Sequence, residues 1–146
     1  MPFYLGRETK QGVIILYKLV DEVRSHRLKE FCDLEALQLF LKNDNSMGFV
    51  AEVDGKIIGF AFGYILHHPE GSGSEFYLHA IDIAYEYQNK GYGTGLMEFI
   101  KEQVKIAGCN RMFLVTKRGN VRAISMFEKT GGVHTEEPDI IYEWSW

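Results

Sequence analysis

Apolar and polar positions alternate most clearly in the middle of the chain, where they predict strands. The apolar segments FVAEV (49–53) and KIIGFAFGYIL (56–66) are joined by Asp54-Gly55, the dipeptide that favours a type I′ turn. A polar loop separates them from EFYLHAIDIA (75–84), which predicts another strand. The pattern therefore indicates an antiparallel hairpin followed by a further strand.

The second half of the chain adds helical spacing. Leu96, Ile100 and Val104 recur on one face after a glycine-rich stretch, and Gly108 is a natural residue to follow the end of that helix. The remaining predicted elements are a strand over 112–116, a helix over 122–129 capped by Asn120 and stopped at Gly131-Gly132, and a final strand over 139–146.

The N-terminal third carries a weaker pattern. PFYL (2–5) predicts a short first strand. Residues 13–23 fit helical spacing, although part of the segment also alternates as a strand would, and we favour the helix. Asp33 followed by LEALQLFLK (34–42) predicts an N-capped helix.

The order of these elements predicts an α+β or mixed α/β fold around a partly antiparallel sheet. The length of 146 residues predicts one domain, 1–146, that can bury a core of its own. With 46% hydrophobic and 25% charged residues, the composition is that of an ordinary soluble globular protein.

Charge and special residues exclude several function classes. The net charge of -4 without a basic stripe argues against nucleic-acid binding. No apolar run is long enough to cross a bilayer and the N-terminus lacks a signal-peptide pattern, so we expect a cytoplasmic protein. Cys32 and Cys109 lie far apart with no CxxC pairing, so neither a disulfide framework nor a zinc site is indicated. His67-His68 lack a third ligand at suitable spacing, so no metal is expected.

The stretch 85–99 places Gly91, Gly93 and Gly95 where a helix should begin. Because glycine costs roughly 1 kcal/mol in a helix interior, either an unusual turn or a close approach to the backbone must explain them. A strand, a glycine-rich turn and a helix together form a phosphate-binding arrangement, since the first amides of a helix lack internal partners. The spacing matches neither a P-loop nor a dinucleotide-binding fingerprint.

The segment Q88-N-K-G91-Y-G93 resembles the acetyl-coenzyme A motif [RQ]xxGx[GA] of the GNAT N-acetyltransferases. A second segment, N120-VRAISMFEKTGG, is similar to the family's N..A...Y.k.G pattern. The resemblance covers about the last two thirds of the chain. It implies a mostly antiparallel sheet flanked by helices, with two central strands that splay apart to admit acetyl-CoA.

A closer likeness is to the aminoglycoside 3-N-acetyltransferase branch of that family. Residues 63–77, GYILHHPEGSGSEFY, match its loop-and-strand pattern, and the acidic tail HTEEPDIIYEW is also similar.

The resemblance implies a set of coenzyme contacts. The pantetheine arm would follow the strand residues Ile81, Asp82 and Ile83, and Asn120 would either hold that arm or fix its own turn. The diphosphate would lie on the turn formed by Gln88, Asn89, Lys90, Gly91, Tyr92, Gly93 and Thr94. Phe127 occupies the position where many relatives carry a tyrosine that protonates the departing thiolate, so another acid, water or Tyr142, is needed. Lys117, Arg118 and Arg122 would either contact the coenzyme's 3′-phosphate or form a solvated cluster.

The acceptor amine must lose a proton before it attacks, so a general base is expected. Strict alternation along 75–84 places Glu75, Tyr77, His79, Ile81 and Ile83 on one face. The resemblance implies that catalytic glutamates of other GNATs fall at positions equivalent to Tyr77 or His79, so His79 leads, as a residue type that titrates near neutral pH. Glu75 is the second candidate, and a purely structural role for His79 stays open. The same alternation places Asp82 on the apolar face, which requires either a bulge or a functional partner.

The resulting hypothesis is transfer of the acetyl group of acetyl-CoA to a small primary amine by direct attack in a ternary complex. A cationic aminoglycoside or polyamine could be held by the carboxylates of Glu75, Glu136, Glu137 and Asp139. Acetylation of a protein N-terminus or lysine, and coenzyme A binding without turnover, are the alternatives. The hairpin aromatics Phe60, Phe62 and Tyr64 are assigned to sheet packing, and the terminal WSW could pair across a homodimer.

Overall fold

The computed structural model describes residues 7–8, 12–135 and 141–146, with the backbone alone described for 7–8. A six-stranded sheet in the order β1-β2-β3-β4-β5-β6 forms its centre. The strands are β1 (Arg7–Glu8), β2 (Ile14–Leu19), β3 (Ser46–Val53), β4 (Lys56–His68), β5 (Gly73–Ile83) and β6 (Arg111–Phe113). All neighbouring pairs are antiparallel except β5 and β6, which run parallel.

Helices cover both faces of the sheet, as a mixed α/β layer arrangement requires. They are α1 (Leu34–Leu41), α2 (Tyr92–Ile106) and α3 (Val121–Lys129), with short 3-10 turns at Val20–Glu22, Ser25–Leu28 and Tyr85–Tyr87. Helix α2 is the crossover that the parallel pair β5 and β6 needs. Among the described residues, no helix combines the length and apolar character needed to cross a membrane.

Two buried clusters lie on opposite faces of the sheet. On the first face, Phe49 and Phe76 pack with Leu96 and Ile100 of α2, and all four are at most 4% exposed. On the second face, Val50 and other strand residues pack with the 3-10 turns and α1. Burial of these apolar side chains supplies the main driving force for folding, about 25 cal/mol per Å² removed from water.

Local sequence signals fix the ends of the helices as predicted. Asp33 Oδ1 accepts the Ala36 amide at 2.8 Å and caps α1. Gly108 has φ +93° and follows α2, while the Cys109 amide donates to Val104 O at 3.2 Å. This pairing is a Schellman end, and α3 ends the same way at Gly131-Gly132.

The central hairpin has the predicted turn. Asp54 and Gly55 have φ values of +48° and +82°, the two left-handed residues of a type I′ turn between β3 and β4.

A bulge in β5 changes the predicted alternation. Phe62 of β4 pairs with Ala80 whereas Gly63 pairs with Leu78, so His79 is an extra residue on β5. From Ala80 onwards, the side chains of β5 therefore lie on the faces opposite to those that strict alternation predicts.

The predicted face shared by Glu75, Tyr77, His79, Ile81 and Ile83 is therefore wrong for its last two members. Ile81 and Ile83 pack against the first-face cluster with Phe76 and Leu78. Asp82 pairs with Phe60 on the second face and is exposed. Of the two explanations considered for a carboxylate at position 82, the bulge is therefore present, and it avoids the cost of burying Asp82.

Two sequence-based elements need correction. Residues 13–23 form strand β2 and a 3-10 turn, not the favoured helix, because β2 finds a backbone partner in β3 from Ile15 to Leu19. The predicted final strand is wrong for residues 141–146, which form no strand, while 139–140 lie outside the described residues. The predicted first strand over 2–5 also lies outside them.

A buried carboxylate connects the N-terminal segment to the hairpin. Glu52 is 5% exposed, and its two oxygens lie 2.9 Å from Lys18 Nζ and 2.6 Å from Arg27 Nη2. Arg27 also donates to Gly55 O at 2.9 Å. Burial alone would raise the pKa of Glu52, but the hydrogen bonds and charges of Lys18 and Arg27 outweigh it, so the pKa is lowered.

We predict that Glu52→Gln lowers the free energy of unfolding by about 2 kcal/mol at pH 7, because two cations lose their buried counter-charge. A lowered folded-state pKa means that this contribution is present above the usual carboxyl value near 4.5 and disappears as the pH falls below it. Urea denaturation of both proteins at pH 7 and at about pH 3.5 measures this. Exposed Glu30→Gln is the control, and a wild-type advantage that persists undiminished in acid would contradict the prediction.

Candidate active site

A gap opens in the sheet between β5 and β6. In the described part of the chain, the two strands pair only from Glu75 to Tyr77 against Arg111 to Phe113, and no strand pairs with β5 on that side beyond Tyr77. A cavity of about 260 Å³ occupies the space. Its lining comes from β5, from the segment after β6 and from α3: Leu78, His79, Ala80, Ile81, Asp82, Leu114, Val115, Thr116, Asn120, Ala123, Met126 and Phe127.

Five of the predicted site residues line this cavity. They are His79, Ile81, Asp82, Asn120 and Phe127. The unpaired backbone edge of β5 beyond Tyr77 offers hydrogen-bonding groups to an extended chain lying in the gap. The cavity therefore suits a narrow molecule with amide groups along its length.

The glycine turn lies at the end of β5 and begins α2. Gly91 is the N-cap residue with φ +85°, and Asn89 has φ +62°. The first intrahelical bond runs from the Gly95 amide to Gly91 O, so the amides of the first helical turn have no acceptor within the helix. No acidic side chain occurs in that turn. The arrangement is suited to an anion, because its amides and the helix dipole both favour negative charge.

Each of the three glycines has its own physical reason. Gly91 needs its left-handed backbone, and a Cβ there would meet nothing within 4 Å. At Gly93 a Cβ would lie 2.8 Å from Met126 Sδ, and at Gly95 it would lie 2.0 Å from Tyr17 Oη. The turn and the close approach considered from the sequence are therefore both present, at different glycines.

Two residues of the predicted diphosphate turn have structural roles for their side chains. Gln88 Nε2 donates to Ile83 O at 3.0 Å, and Gln88 Oε1 accepts from Arg122 Nη1 of α3. Tyr92 is 8% exposed and belongs to the first-face core, so only its backbone is available to a ligand. Likewise, the Ile83 side chain packs on the core and is not part of the cavity lining.

Asn120 stands at the N-cap position of α3 without a side-chain capping bond. Its Nδ2 lies 3.5 Å from Thr116 Oγ1, at the limit of a hydrogen bond. Of the two roles considered for Asn120, its position in the cavity wall agrees with contact to a ligand.

His79 lies at the point where the strands separate. Its Nδ1 is 3.1 Å from Tyr77 Oη, and its ring lies 5.2 Å from the Phe62 ring on the second face. Tyr77 in turn stacks on Phe113 with centroids 5.1 Å apart. His79 is exposed and lines the cavity, so the bulge presents an imidazole with one nitrogen oriented by Tyr77.

Glu75, the second candidate base, is already paired. Its side chain is 14% exposed, with its oxygens 3.0 Å from His68 Nε2 and 3.1 Å from Arg111 Nε. Because both oxygens already have partners, Glu75 has little charge left to offer an acceptor.

Tyr142, predicted as a substitute acid, is 74% exposed and is absent from the cavity lining. Its ring contacts Trp144 at 6.3 Å. The strand that was expected to carry Tyr142 to the site is not formed by residues 141–146. The predicted acceptor carboxylates Glu136, Glu137 and Asp139 lie outside the described residues.

Several cavity residues were not identified from the sequence. Leu114, Val115 and Thr116 fall within the predicted strand 112–116, but only their loss of pairing after Phe113 makes them a wall of the gap. Met126 is one residue before Phe127 in the second motif, so that motif was the available signal. In the described part of the chain, no group of three or more His, Cys, Asp or Glu side chains could hold a metal.

The sequence profile of the acetyltransferase (GNAT) family matches residues 14–132. The chain belongs to this family. An acetyltransferase of Yersinia pestis is 28% identical over 119 residues, which cover 82% of this chain and 77% of that protein.

Two solved structures of other acetyltransferases share the fold of this GNAT protein. An aminoglycoside acetyltransferase from an uncultured soil metagenomic sample, in complex with sisomicin, has a TM-score of 0.76 at 18% identity, covering 90% of this chain and 97% of that chain. Aminoglycoside N-acetyltransferase AAC(6')-Iy in complex with CoA has a TM-score of 0.75 at 20% identity, covering 93% and 98%.

These findings confirm the predicted mixed, mostly antiparallel fold with its splayed central strands. They also confirm the predicted enzyme class, an acetyltransferase with acetyl-CoA as the donor.

We predict that Gly95→Ala lowers the free energy of unfolding by roughly 1 to 3 kcal/mol, although alanine is the better helix former, because its Cβ overlaps the Tyr17 ring. Thermal melts of the variant measure the loss. Adding Tyr17→Phe should recover part of it, since the 2.0 Å contact to Oη disappears and the 2.7 Å contact to Cζ remains. Gly119→Ala, where a Cβ meets nothing within 4 Å, is the matched control, and equal melting temperatures for all variants would contradict the prediction.

Proposed function

We propose that this protein transfers the acetyl group of acetyl-CoA to a primary amine of a small cationic acceptor, by direct attack within a ternary complex. The observation that carries the proposal is the gap beyond Tyr77. His79 lies where the strands separate, and at the other end, which we call the open end, β5 leads into the anion-suited turn of α2.

The residues present fit the coenzyme's parts in order along the gap. The unpaired edge of β5 at Ile81, Asp82 and Ile83 would hold the amides of the pantetheine arm, and Asn120 would meet the arm from the opposite wall. The backbone from Gln88 to Thr94 would hold the diphosphate. When bound, acetyl-CoA supplies an acetyl group activated as a thioester.

His79 would act as the general base. In its neutral form, with Nδ1–H donated to Tyr77 Oη, the ring leaves Nε2 free to accept a proton from the acceptor ammonium. The amine nitrogen would then bond to the acetyl carbon as the carbon–sulfur bond breaks; its surplus proton would pass to water and the thiolate would leave. A backbone N–H of β5 between Ile81 and Ile83 would stabilise the charge that develops on the carbonyl oxygen.

Phe127 cannot protonate the departing thiolate, and Tyr142 is not positioned to replace it. The step needs little acid assistance, because the unperturbed pKa of a thiol is about 8.5. Water reaching the cavity is sufficient for this role.

The acceptor surface adjoins His79 on the second face of the sheet. Phe62 lies beside His79 and packs edge-on against Tyr64 and Phe40 at 6.3 and 5.7 Å. Partly exposed aromatic rings attract an ammonium group through their faces. The neighbour complexed with sisomicin supports an aminoglycoside as one such acceptor, and we retain the 3-N position from the motif likeness as the proposed site of acetylation.

Other features of the hypothesis stay predictions from the sequence. These are a single domain over 1–146, a cytoplasmic location and a homodimer. Acetylation of a protein N-terminus or lysine is the alternative acceptor class, and the acceptor panel below separates it from a small amine.

We predict that His79→Gln lowers kcat/KM by about 10²- to 10³-fold at neutral pH, because it removes the base while a polar side chain of similar size remains. Thiol release from acetyl-CoA measures the rate from pH 5.5 to 9. The rate should then rise with pH as free amine becomes available, without the inflection of the wild-type protein. Calorimetric affinity for coenzyme A, unchanged by the substitution, is the control; an unaltered pH–rate profile would exclude His79 as the base.

We predict that the wild-type protein releases thiol fastest with small polycationic amines. A panel of one aminoglycoside, linear polyamines, monoamines and lysine-containing peptides tests this, with mass spectrometry and NMR of the product to locate the acetyl group. A 3-N-acetylated aminoglycoside supports the motif likeness, while 6′-acetylation would overturn the 3-N assignment. Turnover of peptides alone would favour the protein-acceptor alternative.

A further inference from the structure

The side chain of Arg122 joins the two walls of the gap at its open end. Arg122 lies in the first turn of α3, and its Nη1 donates to Gln88 Oε1 in the turn before α2. Gln88 Nε2 donates in turn to the backbone oxygen of Ile83, which is the last residue of β5, at 3.0 Å. One amide side chain therefore connects the end of β5, the glycine turn and the start of α3.

The contact between Arg122 and Gln88 lies close in sequence to the first-turn amides of α2, which suit an anion. Gln88 precedes Gly91 and the unsatisfied first-turn amides of α2. On the other wall, Asn120 and Ala123 line the cavity on either side of Arg122 in sequence. The Arg122 guanidinium, bonded to Gln88, therefore contacts the turn that leads to those amides.

The charge of Arg122 has no anionic partner in the described part of the chain. Its contact there is a neutral amide, and none of the ion pairs present includes it. The first turns of α2 and α3 both lack acidic side chains. Lys117 and Arg118, both exposed, precede α3 in the sequence, and Asp82 is the carboxylate in the cavity lining.

We propose that Arg122 is a ligand of the coenzyme diphosphate, and that its bond to Gln88 is the resting contact which the diphosphate displaces. The inference rests on the proposed placement of the coenzyme. A guanidinium binds a phosphate through two parallel N–H donors and a full opposite charge, whereas Gln88 offers one neutral acceptor. The exchange therefore favours the bound state, and Gln88 keeps its bond to Ile83.

Besides the diphosphate, coenzyme A carries a second phosphate group that Arg122 could bind, the 3′-phosphate of its ribose. Comparison of coenzyme A with 3′-dephospho-coenzyme A separates the two, because only the first carries the 3′-phosphate while both carry the diphosphate. S-acetylpantetheine, which lacks both, reports on the rest of the gap.

The experiment measures the affinity of these three compounds for the full chain by calorimetry. Arg122→Ala should weaken coenzyme A and 3′-dephospho-coenzyme A equally, by about tenfold or more, and leave S-acetylpantetheine unchanged, since a charge-assisted hydrogen bond is lost. Arg122→Lys keeps the charge without the planar fork and should give an intermediate loss. Lys129→Ala, the same charge change at the other end of α3, is the matched control with wild-type affinities.

Three outcomes would overturn the assignment. A loss confined to coenzyme A would make the 3′-phosphate the partner, and no loss would mean that Arg122 contacts neither phosphate. A loss for S-acetylpantetheine as large as for coenzyme A would mean that the substitution damages the gap itself. If the wild-type protein binds none of the three compounds, the proposed function fails rather than the role of Arg122.

Discussion

The parallel pairing of β5 with β6 stops at Tyr77 and Phe113, and the site depends on that stop. Up to there the strands share backbone hydrogen bonds. Beyond it, in the described residues, no strand pairs with this edge of β5, where Ile83 O accepts from Gln88 Nε2, and residues 114–116 line the opposite side of the cavity. Unpaired backbone groups at the centre of a sheet are costly unless a ligand or water satisfies them. A molecule that completes β5 as a neighbouring strand would remove this cost, and this is the physical basis of the proposed binding of an extended, amide-bearing arm.

The bulge at His79 adds a second constraint at the same point. One extra residue on β5 turns the His79 imidazole towards Phe62 and Tyr77 and returns Ile81 and Ile83 to the core face. The same shift exposes Asp82, so one local irregularity places the base candidate in the cavity and avoids a buried carboxylate. The aromatic contacts around His79 then fix the direction of its ring.

The glycine turn shows how packing and ligand binding share a short segment. Gly91 supplies the left-handed residue that begins α2, whereas Gly93 and Gly95 let α2 approach Met126 and Tyr17. The first-turn amides of α2 have no acceptor within the helix, and in the described residues Arg122 makes no ion pair. The Tyr92 side chain, which belongs to the same motif, instead serves the core.

Features whose cause is local were determined by the sequence itself. Each of these features depends on a few adjacent residues: the Asp54-Gly55 turn, the Asp33 cap, the glycine ends of α2 and α3, and the two motifs that resemble GNAT segments. Only the tertiary structure decided whether 13–23 is strand or helix, because its spacing fits both and β3 supplies the backbone partner. The same holds for the bulge at His79, the pairing of Glu75 with His68 and Arg111, and the bond between Gln88 and Arg122. Those contacts join residues from different elements, and their energies depend on distances that no local pattern contains.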